Sequence, residues 1–464
     1  MDEVGRIASR TVDALKDRTV ALGFWGCGHI GASEMYHFSL KGIRCVGYDI
    51  AESRVQEIRE GRFLATDSVP TGRLQQEDTD VVATTDWREL KRHRLAVHII
   101  CVPTERGAEP SSAALEDVMP RICHVIQETD LGDIVPTVVI ESTIQPTWID
   151  SVVLPKLHAS GLRPGIDVFV AAAPRRDWFS QQEHNLETLP RIVGADGDAA
   201  TRLVIGLYSL VCREIVPAVD AHHAAFTKVI ENLLRFQGLA LANGLSLAFP
   251  QYDMTHVLSL ASTKWNIPFY HPSLGIGGHC IPLAPQYAMA EGGTQNTYLE
   301  PIRQAIEFND SYFARLYRER LRELLQDCRS IVVLGLAYTP DAKMHKLSPA
   351  LEVLECLRET PLLRLHDPYY SAEDVDDICG VATVDFPDDL RDCDGIVLVT
   401  AHQAYITTSV ERYIQAGTVV VDNFGTWRER EFVAGVQYHE VGRRVMDGAK
   451  APLRWPEPSS PVSD

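Results

Sequence analysis

Six residues constrain the fold of this chain more than any others: Gly26, Cys27, Gly28, His29, Ile30 and Gly31, set between the apolar run Thr19–Phe24 and a helical stretch that stops at Gly42. A first glycine permits a tight turn, a second lets a pyrophosphate approach the backbone, and a third lets the helix pack on the strand. The helix that opens there points its N–H groups and its dipole at an anion. Asp49 closes the next β-branched run, where a carboxylate accepts bonds from both hydroxyls of an adenosine ribose. It also repels a 2′-phosphate, which selects NAD over NADP; Arg54, one turn beyond, keeps NADP open.

The alternation begun there continues through the runs 44–48, 96–102 and 137–141, the pattern of a parallel sheet covered by helices. Thr104 and Thr143 each close one of these strands, so both hydroxyls are expected in the crevice where such sheets hold ligands. From His222 to Phe249 apolar residues recur at helical spacing (Phe226, Val229, Ile230, Leu233, Leu234, Leu241, Leu245) with no proline until Pro250. That predicts one long helix, more than a crossover needs, and a dimerisation element. A second alternation follows over 330–336, 362–366, 395–400 and 418–422, with Gly335 after its first strand but no full glycine fingerprint.

The expected architecture is therefore α/β, with an N-terminal Rossmann-type NAD-binding domain over 1–215 and a central helical domain over 216–325. A smaller Rossmann-like domain over 326–442 and a Pro- and Ser-rich tail over 443–464 complete it.

The balance of 44 basic against 63 acidic residues, a net charge of −19, argues against nucleic acid or an anionic membrane as partner. Ten cysteines without a CxxC pair indicate neither a metal site nor a disulfide framework. Met1 to Arg6 lacks a signal peptide's basic and apolar regions, so the chain is expected to be cytoplasmic and reduced.

The chemistry concentrates at Ser273 to Ala284. Gly275, Gly277 and Gly278 bring backbone N–H groups close to a ligand and run into His279 and Cys280. A thiol at the exit of such a loop is a candidate nucleophile. Lys228 and Asn232, four apart on the long helix, share one face. An ammonium beside a carboxamide can stabilise an oxyanion or orient a hydroxyl, as an alcohol oxidation requires.

In order along residues 19–440 these motifs resemble the UDP-glucose/GDP-mannose dehydrogenase family. The likeness is carried by the glycine fingerprint, Val102-Pro103-Thr104, Glu141-Ser142-Thr143, Lys228 with Asn232, and the run Gly277 to Pro282. Weaker matches lie at Leu334 to Tyr338, Ser348-Pro349, Asp367-Pro368 and Thr400 to His402. The resemblance implies an NAD-dependent, four-electron oxidation of a nucleotide-sugar C6 alcohol to a carboxylate by a homodimer. It makes Cys280 the nucleophile that forms a thiohemiacetal and then a thioester, with Lys228 and Asn232 polarising the oxyanions. Thr143 then positions the water or sugar hydroxyl, Gly26 to Gly31, Asp49 and Thr104 hold the cofactor, and Gly277, Gly278, His279 and Lys346 meet the substrate.

Four departures matter. Ala284 stands where the family has an aspartate, and Arg175, after Pro174, stands where it has a glutamate; arginine cannot act as a base. Asp177 could supply a carboxylate if its loop were rerouted. Tyr338-Thr339-Pro340 replaces a Phe-Lys-Pro, and Lys346 replaces an arginine, a point charge for a bidentate fork. Losing two carboxylates leaves open a single redox step or epimerisation, or binding without catalysis. A β-hydroxyacid dehydrogenase would have no use for Cys280 or a third domain.

Overall fold

The computed structural model describes residues 3–62, 80–176, 184–278, 280–293 and 295–443. The expected tail thus lies, apart from Arg443, outside the described residues, as do His279 and Asp177. The chain forms two compact units. The first takes the described residues within Met1–Ala240, Ile276–Ser311 and Ala337–Ser348; the second takes those within Leu241–Gly275, Tyr312–Leu336 and Pro349–Asp464. The long helix therefore contributes to both, and residues 337–348 leave the C-terminal fold to join the first unit.

The first unit is built on an eight-stranded sheet: β1 (Ala21–Trp25), β2 (Cys45–Tyr48), β3 (Val81–Thr84), β4 (Leu95–Ile100), β5 (Thr137–Ile140), β6 (Phe169–Ala172), β7 (Arg191–Ala195) and β8 (Ile215–Pro217). Its spatial order is β8-β7-β6-β5-β4-β1-β2-β3, with β6 and β7 antiparallel and every other pair parallel. The order reverses between β1 and β4, so a ligand crevice opens at their carboxyl ends.

β1, β2 and β4 are buried along their whole length, which explains why they read as continuous apolar runs and not as alternating ones. One face is covered by α1 (Glu3–Lys16), α2 (His29–Leu40) and α3 (Asp198–Tyr208). The other packs against the start of α4 (Ala221–Ala248), through Ala221, Ala224, Ala225, Val229 and Leu233, and against α5 (Ala284–Gly292), through Tyr287 and Ala288.

The second unit carries a six-stranded parallel sheet, β9 (Ser330–Leu334), β10 (Leu362–His366), β11 (Ala382–Thr383), β12 (Gly395–Leu398), β13 (Val419–Asp422) and β14 (Gln437–Glu440), in the order β11-β10-β9-β12-β13-β14. Its first turn repeats that of the N-terminal sheet. Gly335 has φ +98 where Gly26 has +100, and its N–H donates to the His366 carbonyl as that of Gly26 donates to the Tyr48 carbonyl. Asp367 at the end of β10 accepts from the Leu336 and Tyr369 N–H groups, as Asp49 does from Cys27 and Ala51. The next helix, α6 (Pro349–Cys356), begins only after the 337–348 excursion, so no helix N-terminus follows this turn directly.

No helix among the described residues is long and apolar enough to cross a membrane.

Candidate active site

The glycine loop follows β1 as expected, and its first and third glycines are required sterically. A Cβ on Gly26 would stand 2.4 Å from the Cys101 carbonyl oxygen, and one on Gly31 would stand 2.0 Å from the Gly26 oxygen. Around Gly28, by contrast, the Cβ position meets nothing within 4 Å. The middle glycine thus leaves the open flank from which a phosphate can reach the backbone. Gly28 is also the N-cap of α2, with no side chain capping the first turn. Cys27 is buried and turned toward Gly47, and burial, aided by Asp49, pushes its thiol far above the ordinary value. Only its backbone can serve a ligand; its N–H donates to Asp49 Oδ2 at 2.7 Å while Ala51 N–H donates to Oδ1 at 2.9 Å. The carboxylate is thereby aimed across the mouth of the loop, with lone pairs left for ribose hydroxyls. Arg54 is engaged by Glu57 at 2.8 Å on the same helix turn.

These residues fit an NAD cofactor. With Asp49→Ala we expect NAD+ affinity to fall about 10- to 100-fold, the scale of hydrogen bonds to a charged group. Titration calorimetry checks this; unchanged affinity, or tighter binding of NADP+, contradicts the assignment.

Thr104, on the segment that follows β4, is buried. Its hydroxyl donates to the Thr143 carbonyl at 2.5 Å and accepts from the Tyr287 hydroxyl at 2.9 Å, which also donates to the Thr104 carbonyl at 2.5 Å. The threonine hydroxyl expected in the crevice is therefore occupied in tying β4, the 141–143 turn and α5 together. Thr143 is half-buried.

Cys280 is the one exposed thiol among the chain's ten cysteines. Its carbonyl accepts from Ala284 N–H at 3.2 Å, so it begins the turn that leads into α5. Ala284 itself is buried. On the upstream side Gly278, with φ +97, donates its N–H to the Leu347 carbonyl, and a Cβ there would strike the Tyr338 ring at 2.7 Å. Lys346, next to Leu347, places Nζ 3.2 Å from Glu105 Oε1. Lys228 and Asn232 are half-buried on α4, each directly before a core residue, Val229 and Leu233.

Arg175 does not lie free in the crevice. It is 5% exposed and inserted beneath α2, with Nη1 3.2 Å from Glu34 Oε2 and Nη2 donating to Ser33 Oγ at 3.0 Å. Arg191 completes the cluster: it pairs with Glu141, lies 3.7 Å from Glu34, and sits over the Tyr208 ring, whose hydroxyl donates to Glu141 at 2.5 Å. Burial, then the facing Glu141, pushes the Glu34 carboxyl above the usual carboxylate range, against the pull of Arg191 and Arg175. Arg176 beside it bonds Glu231 of α4 at 2.5 Å, so the turn after β6 anchors both helices.

Sequence reasoning passed over this cluster and the Glu105–Lys346 pair. The one available signal was Glu105 directly after Thr104 at a strand end.

The doubly wound sheet, the glycine cradle and its acidic brace define an NAD-dependent dehydrogenase. Three models of one family match along the chain: an NAD-binding domain over residues 20–211, a central domain over 222–311 and a UDP-binding domain over 332–429. The chain belongs to the UDP-glucose/GDP-mannose dehydrogenase family.

A UDP-N-acetyl-D-mannosamine dehydrogenase of Pyrococcus horikoshii is 29% identical over 74% of this chain and 82% of its own length. A UDP-N-acetyl-D-glucosamine 6-dehydrogenase of Pseudomonas aeruginosa is 27% identical over 87% and 95%. Among solved structures, the UDP-D-ManNAc dehydrogenase of P. horikoshii superposes with a TM-score of 0.78 at 26% identity, over 91% of this chain and 99% of that one. The chain is an NAD-dependent nucleotide-sugar dehydrogenase.

Proposed function

We propose that the chain oxidises the C6 alcohol of a UDP-sugar to the carboxylate, by way of a thiohemiacetal and a thioester on Cys280. The observation that carries this is the exposed Cys280 thiol, held by backbone bonds on both sides in the same unit as the NAD cradle and as Lys228 and Asn232. NAD+ supplies the hydride acceptor. Lys228 and Asn232, firmly seated by Val229 and Leu233, stabilise the alkoxide of the first oxidation and the tetrahedral oxyanions that follow. Cys280 holds the aldehyde covalently, so that it is oxidised again before it can leave. Thr143 places the water or sugar hydroxyl, and Gly277 and Gly278 line the approach to the thiol.

The relatives' named substrates put UDP-N-acetyl-D-mannosamine and UDP-N-acetyl-D-glucosamine first among the sugars to test, with UDP-glucose beside them. Two NADH per sugar, with uronate as product, support the reading. One NADH per sugar indicates a single oxidation, and binding without NADH formation a non-catalytic protein.

We also assign a homodimer through α4 and the residues after it. Leu234 and Leu241 are each 64% exposed seven residues apart on one helix face, and Trp265 is 92% exposed. Light scattering at micromolar concentration is expected to give the dimer mass; a monomer contradicts it.

A further inference from the structure

We infer that Glu105 is the carboxylate that activates the hydrolytic water, oriented by Lys346. The inference rests on the thioester reading of Cys280 and supplies the proton acceptor that Ala284 and Arg175 do not.

The geometry is a closed circuit around the thiol, all within the first unit. From Cys280 the chain runs back two residues to Gly278, whose N–H donates to Leu347 O at 3.0 Å. The neighbouring Lys346 reaches Glu105 Oε1 at 3.2 Å. Glu105 follows Thr104, which holds the Tyr287 hydroxyl, and Tyr287 lies on α5, the helix that Cys280 leads into. Burial first, then the nearby Glu105 and Cys280, raise the Tyr287 phenol above its ordinary value, with the Thr104 bond opposing.

Both Glu105 oxygens are held. Lys346 takes Oε1, and the Thr104 N–H donates to Oε2 at 3.2 Å, while the side chain is only 8% exposed. A base whose second partner fixes its orientation is the arrangement that activates a weak nucleophile. Its place also suits the task, since it opens the short strand Glu105–Arg106 on the segment that leaves β4 at the carboxyl-end crevice where the sheet order reverses. A pair serving only to fasten the 337–348 segment would have no need of that position.

In the step itself, Glu105 accepts one proton of water as the water oxygen bonds to the thioester carbon. The carbon–sulfur bond then breaks, the Cys280 sulfur takes that proton, and the new acid releases its own to solvent. No oxidation state changes.

The test uses NAD+ and whichever of UDP-N-acetyl-D-mannosamine, UDP-N-acetyl-D-glucosamine and UDP-glucose the wild-type chain turns over. Glu105→Gln is expected to keep a fast burst of two NADH per subunit, which also reports an intact fold. Its steady-state rate should fall about 10²- to 10⁴-fold, the range of general base catalysis, with an acyl adduct on the Cys280 peptide by mass spectrometry. Hydroxylamine, a nucleophile that needs no base, should restore its turnover; Glu105→Asp should fall between. Wild-type turnover of Glu105→Gln without adduct, or loss of the burst with no rescue, overturns the role of Glu105 alone. If the wild type reduces NAD+ with none of the three sugars, or Cys280→Ser still makes two NADH per sugar at full rate, the thioester reading fails first.

Discussion

Cys280→Ser is expected to stop carboxylate formation, lowering it by at least about three orders of magnitude, the scale on which loss of a covalent nucleophile is felt. NAD+ affinity should stay unchanged, because the glycine cradle and Asp49 hold the cofactor through backbone and carboxylate groups that do not involve the thiol. The first oxidation does not need a sulfur nucleophile, so one NADH per subunit should still form on mixing. Any subunit in which the serine oxygen takes the aldehyde and the second hydride leaves forms a second NADH and keeps the sugar as an ester, which hydrolyses less readily than a thioester. Rapid-mixing absorbance for NADH and intact-mass analysis for the adduct check both parts. Because Cys280 is exposed, the substitution removes no core packing, and the melting temperature should move little. Full wild-type turnover would make the thiol structural.

The second large effect concerns stability. Arg175→Glu puts the family's carboxylate back into the sequence, but it is expected to unfold the protein and not to improve catalysis. The position lies beneath α2, facing Glu34, with Glu141 and Arg191 in the same buried cluster. Removing one partner of a buried ion pair costs about 3–5 kcal/mol, and the new side chain adds a third carboxylate where two are already held by arginines. The loss should be visible as a large drop in the denaturation midpoint or as absence of soluble protein. Arg175→Met, which removes the cation without adding an anion, should be less damaging, and Glu34→Gln with Arg175→Met less damaging again. An Arg175→Glu chain as stable as wild type would mean that the cluster contributes nothing.

The parts of this molecule legible in the sequence are those whose physics is local. The turn at Gly26–Gly31 and the runs that became β1, β2, β4 and β5 could be read because fully buried parallel strands are continuous apolar stretches. The long helix was legible too; expected over 222–249, it spans Ala221–Ala248. What depended on distant partners was not. β7 begins with Arg191, a residue that reads as solvated until Glu34 and Glu141 surround it. α1 has an apolar stripe, Ile7, Ala8, Leu15, whose purpose appears only when it packs beside α3. Thr104 at the end of a strand run points to the cofactor on sequence alone; nothing near it in sequence announces that Tyr287 takes its hydroxyl. The departure of residues 337–348 into the first unit was equally silent, and it is what brings Lys346 to Glu105.

A four-electron oxidation through Cys280 is tested most directly by the end-point ratio of NADH formed to UDP-sugar consumed. With limiting sugar and excess NAD+, two NADH per sugar and a uronate product are predicted. One NADH per sugar with an aldehyde product, or an epimerised product with no net NADH, would contradict it.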